Sequence, residues 1–143
     1  MQQFQDYLDN LPFTKAIKSR IVQIIELNKK FYDEEILDIL ICDYKNSDNS
    51  PVYSSLWLFT AKSFIECKNF VNYFDFDITP IASKLDYCSM DFTDYDLETA
   101  NDNSKINIHM KFNTEIVGDI VATGVNCDHA LYIYKKHIIA NLK

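Results

Sequence analysis

The stretch from Val52 to Phe70, VYSSLWLFTAKSFIECKNF, decides the predicted fold. Two apolar runs flank a short polar break, and the first run contains the only tryptophan, Trp57. This pattern predicts a β-hairpin with strands near Ser54 to Thr60 and Ser63 to Phe70. Because Ala61-Lys62 lacks the Gly or Asn that tight two-residue turns favour, we expect a turn of more than two residues.

An amphipathic helix is predicted ahead of the hairpin. Apolar residues recur there at steps of three or four, with polar residues between them: Phe13, Ile17, Ile21, Ile24 and Ile25. Thr14 is a candidate N-cap, and we expect the helix to run to about Lys30 and to lay this stripe on a sheet. A shorter helical turn is expected within Met1 to Asn10.

Strands are expected on both sides of the hairpin. Before it, the segment Glu35 to Tyr44 has apolar residues at both odd and even positions, which predicts a strand covered on both faces. The later expected strands are Phe74 to Ile78, Leu85 to Leu97, Ile106 to Phe112 and Ile116 to Thr123.

Two of these later strands carry specific burial predictions. The run INIHMKF alternates apolar and polar residues, so four side chains should be buried: Ile106, Ile108, Met110 and Phe112. In the strand from Leu85 to Leu97 we expect Cys88, Met90 and Phe92 to point inward.

A final helix is predicted to close the fold. Gly124 breaks the last strand, and Asn126 is expected to be the N-cap of the helix. Its predicted buried stripe has a spacing of three or four residues: Leu131, Tyr134, Ile138 and Leu142. The sequence therefore predicts an α+β fold with an N-terminal helix, about seven antiparallel strands and a closing amphipathic helix.

This order of elements resembles the pleckstrin-homology-like fold over residues 35–142. The segment Ser55 to Cys67, SLWLFTAKSFIEC, is similar to the strand-turn-strand of bacterial pleckstrin-homology and GRAM-type domains. In those domains an apolar run ends in a threonine, and a lysine-containing turn leads to the next strand; Ser63 stands where an arginine is usual. The resemblance implies a partly open barrel or two packed sheets, closed by the terminal helix. It does not imply one function, because the same scaffold carries lipid binders, peptide binders and structural modules.

Length and composition predict one domain, residues 1–143, made of a helical segment (1–32) and the pleckstrin-homology-like part (35–142). The chain has 143 residues, of which 48% are hydrophobic, and only 2 Gly, which excludes intrinsic disorder and disfavours a glycine-rich phosphate loop. No apolar run approaches the roughly 18 residues that cross a bilayer, and the start, MQQFQDYLDN, lacks the layout of a secretion signal. We therefore expect a cytoplasmic protein.

The four cysteines predict free thiols. Cys42, Cys67, Cys88 and Cys127 are far apart in the sequence and form no C-x-x-C pair. Each lies in an apolar context, so we expect at least three of them to be buried and unreactive.

The acidic residues are unevenly distributed. Residues 75–102 hold eight acidic residues and one basic residue, whereas the remaining residues hold 13 of each. One segment thus accounts for the net charge of −7, and it should repel nucleic acid and anionic membranes and attract a basic partner. The predicted docking residues are Asp91, Asp94, Asp96 and Glu98. The alternative is an exposed acidic surface that only keeps the protein soluble.

The sequence contains no recognisable catalytic or metal-binding motif. The acids do not follow the spacing of a calcium loop, and the three histidines form no pattern typical of a nucleophile or metal site. Lys45 and Lys62 are too few for a phosphoinositide site, and we expect no cofactor. The first hypothesis is a non-enzymatic interaction module that binds a protein with a basic surface. The alternatives are an immunity or inhibitor protein that binds a basic toxin or enzyme, and a small-ligand-binding protein.

Overall fold

The structure, a computed structural model, describes residues 4–11, 14–48, 50–80, 85–93, 103–112 and 117–142. The helices are α1 (Gln5–Asp9), α2 (Lys15–Phe31) and α3 (Asn126–Ile133). The strands are β1 (Ile36–Lys45), β2 (Pro51–Thr60), β3 (Ser63–Lys68), β4 (Asp75–Pro80), β5 (Leu85–Thr93), β6 (Lys105–Phe112) and β7 (Val117–Thr123). A π-helical turn (Tyr134–Ile138) and a 3₁₀ turn (Ile139–Asn141) follow α3.

The seven strands form two antiparallel sheets. Sheet A has the strand order β1-β2-β3-β4, and sheet B has the order β5-β6-β7. The predicted α+β class is confirmed. Of the two arrangements expected, a partly open barrel or two packed sheets, the strands of the described residues form two separate sheets and no closed barrel.

Sheet A is covered on both faces, as the sequence of β1 predicts. Leu40 and Cys42 belong to a core between the two sheets, here called the inter-sheet core. Ile39 and Ile41 belong to a second core between sheet A and helices α1 and α2, the helix-facing core. All four side chains are at most 2% exposed. Sheet A is therefore the middle layer of the molecule.

The β2–β3 hairpin has the longer turn that its sequence predicts. The last paired residues are Phe59 and Phe64, so the four residues from Thr60 to Ser63 make the turn. The Thr60 hydroxyl accepts hydrogen bonds from the backbone amides of Lys62, at 3.2 Å, and Ser63, at 2.9 Å. A side-chain acceptor thus replaces the glycine that a tighter turn would need.

The N-terminal helix and β6 also agree with their predictions. Thr14 caps α2, with its hydroxyl 3.3 Å from the Ile17 amide, and the isoleucine stripe of α2 lies in the helix-facing core. The four residues predicted to be buried on β6 are at most 2% exposed. Among the described residues, no helix is long and apolar enough to span a bilayer.

The start of α3 differs from its prediction. Val125, rather than Asn126, is the N-cap residue. The Asn126 side chain makes no cap, because its Nδ2 donates to the carbonyl of Ile41 on β1 instead. A residue chosen as a local cap thus makes a tertiary contact.

The predicted buried stripe of the last helix is only partly right. Ile138 is buried, Leu131 and Tyr134 are half-buried, and Leu142 is 43% exposed. Three residues outside the predicted stripe are fully buried in the inter-sheet core: Cys127, Ala130 and Ile133. The π-helical turn after α3 inserts an extra residue per turn, so the simple spacing of three or four does not continue through it.

The prediction for β5 is wrong at Phe92. Its side chain is 52% exposed, while Cys88 and Met90 are half-buried. Phe92 keeps the alternation of Cys88 and Met90 and lies opposite Ile106, but it stands near the end of β5, an outer strand of sheet B, where its side chain is only partly covered. The predicted continuation to residue 97 lies outside the described residues.

The buried side chain of Asn28 on α2 gives a stability prediction. Within the described part of the chain, neither its Nδ2 nor its Oδ1 has a hydrogen-bond partner. A buried polar group without a partner costs about 1–3 kcal/mol, so Asn28→Leu should raise the free energy of unfolding by about that amount in urea denaturation. Asn28→Asp is the control and should lower it. A loss of stability in Asn28→Leu would mean that the amide has a partner, such as a buried water.

Candidate functional site

Polar side chains cover the outer edge of β1, which has only β2 beside it in sheet A. The Ile41 amide donates to the Tyr7 hydroxyl at 3.0 Å, and the Ile41 carbonyl accepts from Asn126 Nδ2 at 2.7 Å. The Tyr7 hydroxyl in turn donates to Asn126 Oδ1 at 2.7 Å. His129 Nε2 lies 2.7 Å from the Ile39 carbonyl. These bonds satisfy backbone groups that an open edge would expose.

Asp43 extends this network to sheet B. Its carboxylate accepts from the Thr123 amide at 3.1 Å, from the Thr123 hydroxyl, and from Asn126 Nδ2 at 2.8 Å. Burial raises the pKa of Asp43, and the hydrogen bonds from Thr123 and Asn126 offset part of that rise. We call Tyr7, Asp43, Thr123, Asn126 and His129 the polar seam. It joins α1, β1, β7 and α3.

The histidines of the C-terminal segment have structural partners. His129 stacks on Tyr7 with 3.7 Å between ring centroids, and burial lowers the pKa of His129, which favours the neutral ring. His137 Nε2 lies 2.6 Å from Asp38 Oδ2, and Lys136 Nζ lies 3.0 Å from the same oxygen. Burial alone would raise the pKa of Asp38, but the hydrogen bonds from His137 and Lys136 outweigh it and lower the pKa. These contacts hold the last helix against β1.

The structure places only one of the predicted docking residues. Asp91 is exposed on β5, opposite Asn107 of β6, whereas Asp94, Asp96 and Glu98 lie outside the described residues. β4 and β5, the described strands of residues 75–102, are outer strands of different sheets.

A cleft between the two sheets brings acidic side chains together. We call it the inter-sheet cleft; it measures about 400 Å³ and lies beside the hairpin of β6 and β7. Sheet A contributes Trp57, Glu66, Lys68 and Asp77 to its lining, and sheet B contributes Val117 and Gly118. Its volume is at the small end of the range for ligand sites, about 300–1,000 Å³.

Glu66 is the half-buried carboxylate of this cleft. It lies on β3 opposite Trp57, and its Oε2 accepts from the Ser55 hydroxyl at 2.9 Å. Burial raises the pKa of Glu66; the hydrogen bond from Ser55 and the charge of Lys68 lower it, whereas the charges of Asp77 and Asp119 raise it. The desolvation of the carboxylate is therefore only partly compensated by its neighbours.

The cation of the cleft is already paired. Lys68 Nζ lies 2.8 Å from Asp77 Oδ2. Among the described lining residues Lys68 is the one base, against the two acids Glu66 and Asp77. The cleft thus has a negative balance. The charge of Asp119 on β7, whose Oδ1 lies 2.6 Å from His109 Nδ1, also acts on Glu66.

Gly118 shapes one wall of the cleft. A Cβ atom at this position would lie 3.0 Å from Cη2 of Trp57 and 3.1 Å from Cε of Met110. Both distances are shorter than ordinary van der Waals contact, so any side chain at Gly118 would press on these residues. The absence of a side chain lets Trp57 lie directly under the wall of the cleft.

The sequence interpretation missed Glu66, although a signal for it was present. Phe64, Glu66 and Lys68 alternate along β3 and therefore share one face of the strand. Phe64 belongs to the inter-sheet core, so the two charged residues face the space between the sheets. Charged residues at inward positions of a strand are uncommon, and they indicate a functional hypothesis more strongly than exposed acids do.

A second, wider groove lies between α1 and α3. It measures about 730 Å³ and its lining includes Tyr7, His129 and Tyr132. The polar groups of Tyr7 and His129 are bonded to the backbone of β1. Tyr7 and His129 therefore take part in holding the fold together.

The described residues contain no group of three His, Cys, Asp or Glu side chains that could hold a metal ion. No protein-family model, no curated protein and no solved structure matches this chain.

The cysteines give a labelling prediction. Cys42, Cys67 and Cys127 are at most 2% exposed, and burial raises their pKa values to about 12, about 11 and about 12. Cys88 is half-buried, with its sulfur 3.4 Å from the Tyr134 hydroxyl. Without denaturant, a thiol reagent should therefore label Cys88 first, and mass spectrometry of digested protein should find the other three unmodified. The control is Cys88→Ser, which should stay unlabelled; labelling of two or more cysteines in the native wild type would contradict the prediction.

Proposed function

We propose that this protein is a non-enzymatic, cytosolic interaction module of pleckstrin-homology-like fold that binds a protein with a basic surface. The observation that carries the proposal is the excess of exposed acids on the described strands of residues 75–102, β4 and β5. The inter-sheet cleft, where Glu66 and Asp77 meet one lysine that is already paired, adds to this negative charge.

The topology supports the fold part of this proposal. Four antiparallel strands in sheet A, three in sheet B and a closing helix are the elements that the resemblance implies. The α2 helix is an addition to that set, and it covers the face of sheet A that points away from sheet B.

The charge distribution supports the nature of the partner. Exposed acids lie on both described strands of residues 75–102: Asp75 and Asp77 on β4, and Asp86 and Asp91 on β5. Exposed charge of one sign raises the rate of encounter with an oppositely charged protein and disfavours nucleic acid and anionic lipid. Lys62, one of the two cations weighed for a phosphoinositide site, lies 3.3 Å from Glu34. This pairing also disfavours lipid head-group binding.

An immunity or inhibitor protein would use the same surface, because the active sites of many enzymes that act on nucleic acid are basic. Inhibition of such an enzyme by this protein would favour that alternative. The size of the inter-sheet cleft favours the third candidate, a small-ligand-binding protein, whose ligand would remain bound after dialysis and appear in native mass spectrometry.

The proposal predicts a salt-dependent association rate. The tagged protein would first be used to isolate a partner from the source cells, and the kinetics would then be measured with that purified partner. Neutralising the four predicted docking acids as Asp91→Asn, Asp94→Asn, Asp96→Asn and Glu98→Gln should slow association about fivefold or more at low salt. The difference should shrink near 0.5 M salt, because screening then acts within less than about 10 Å.

A matched control variant removes four exposed acids from the helical side of the molecule: Asp6→Asn, Glu26→Gln, Asp33→Asn and Glu35→Gln. Its net charge is the same as that of the docking variant, so general attraction falls equally in both. The control should associate within about twofold of wild type if the location of the charge matters. Equal rates for the two variants would contradict a localised docking face.

A further inference from the structure

The inter-sheet cleft has the chemistry of a site for one cationic side chain. Its walls combine apolar surface with a carboxylate: Trp57 and Phe112 are buried beneath it, Val117 is 54% exposed at its edge, and Glu66 lies further in. Long basic side chains bury their methylene stems against apolar surface and keep the charged end on a polar partner. The cleft offers both parts of this arrangement.

Glu66 makes no ion pair within the described residues, although the charge of Lys68 acts on it. Ser55 gives it one neutral hydrogen bond at 2.9 Å, whereas Lys68 makes its 2.8 Å ion pair with Asp77. A carboxylate removed from water is costly unless a cation or several donors accompany it. A cation from outside the protein would give Glu66 the ion pair that it does not make within the cleft.

The surrounding charges select the sign of the occupant. Asp77 on β4 and Asp119 on β7 belong to different sheets, and the charges of both act on Glu66. An anionic ligand would meet repulsion from both sides. Asp77 and Asp119 already have partners, Lys68 at 2.8 Å and His109 at 2.6 Å. An entering cation would therefore pair with Glu66, and the other two carboxylates would add to the negative potential around it.

We propose that the inter-sheet cleft binds a single lysine or arginine side chain of the basic partner, with Glu66 as the counter-ion and Val117 and Trp57 along the aliphatic stem. This inference rests on the proposed function, because it names the group by which a basic partner is recognised. It concerns residues outside the four predicted docking acids, so the two can fail separately.

The test uses small amides in place of the partner. Nα-acetyl-lysine amide and Nα-acetyl-arginine amide are titrated against the wild-type protein, and Nα-acetyl-norleucine amide serves as the neutral control. The fluorescence of Trp57, the only tryptophan, reports binding, and the amide resonances of Gly118 and Asp119 locate it. We expect saturation by at least one cationic amide with a dissociation constant of about 1 mM, and at least tenfold weaker binding of the norleucine amide.

Two variants assign the site. Glu66→Gln keeps an acceptor for the Ser55 hydroxyl and should weaken binding of the cationic amide at least tenfold. Glu26→Gln makes the same chemical change on the exposed face of α2 and should bind within twofold of wild type. A third variant, Val117→Lys, places a cation at the edge of the cleft. Its lysine should compete for Glu66 and so should also weaken binding of the cationic amide. It changes an exposed position, so it keeps the test valid if Glu66→Gln fails to fold.

Each outcome decides between the proposals. Equal binding of the norleucine amide, no binding of either cationic amide, or unchanged affinity in both Glu66→Gln and Val117→Lys would overturn the cleft proposal. If a basic partner is captured and its affinity does not change in Glu66→Gln, the proposed function stands and the cleft proposal fails. If the cationic amides bind through Glu66 and no basic protein partner exists, the cleft proposal stands as a small-cation site and the proposed function fails.

Discussion

The hydrogen bonds along the outer edge of β1 are the constraint on which the rest of this structure depends. Both backbone polar groups of Ile41 are hydrogen-bonded to side chains. Its amide donates to Tyr7, and its carbonyl accepts from Asn126. Asp43 then ties the same edge to Thr123 at the end of β7. Residues of α1, α3 and β7 thus make hydrogen bonds along this edge in place of a neighbouring strand. They close one side of the two-sheet structure without closing a barrel.

Because the polar seam uses its polar groups to close this edge, we expect a binding site at the inter-sheet cleft. The polar seam uses its Tyr, Asn and His groups for backbone contacts, so they serve stability. At the inter-sheet cleft the opposite holds, because Glu66 faces inward at the cost of desolvation and with one neutral donor. Proteins place such costly groups at sites of function more often than at sites that only support the fold. The contrast between the two regions is the physical basis for assigning recognition to the cleft.

The sequence predicted those features that local spacing determines. The burial of β1 on both faces followed from its apolar residues at both odd and even positions. The Thr14 cap followed from the position of Thr14 before an amphipathic helix. The start of α3 was predicted wrongly, because Asn126 has good local chemistry for a cap but binds Ile41, 85 residues away. The predicted burial of Phe92 was also wrong, since alternation does not show that this residue lies near the end of an outer strand. The polar seam could not be foreseen, as Tyr7 and Asn126 are 119 residues apart and no short motif links them. The docking acids predicted from charge alone stay a prediction.

The central claim is that the polar seam is a rigid closure and that the inter-sheet cleft is the recognition surface. Backbone amide hydrogen exchange, followed by NMR with and without saturating tetralysine as a basic probe, tests both halves in one measurement. With and without tetralysine, the Ile41 amide should exchange only through global unfolding, because this N–H donates to the Tyr7 hydroxyl. Tetralysine should slow exchange in β4 and at Gly118 and Asp119 and leave the seam unchanged. Rapid exchange of Ile41 in the free protein, or slowing confined to the groove between α1 and α3, would contradict this account.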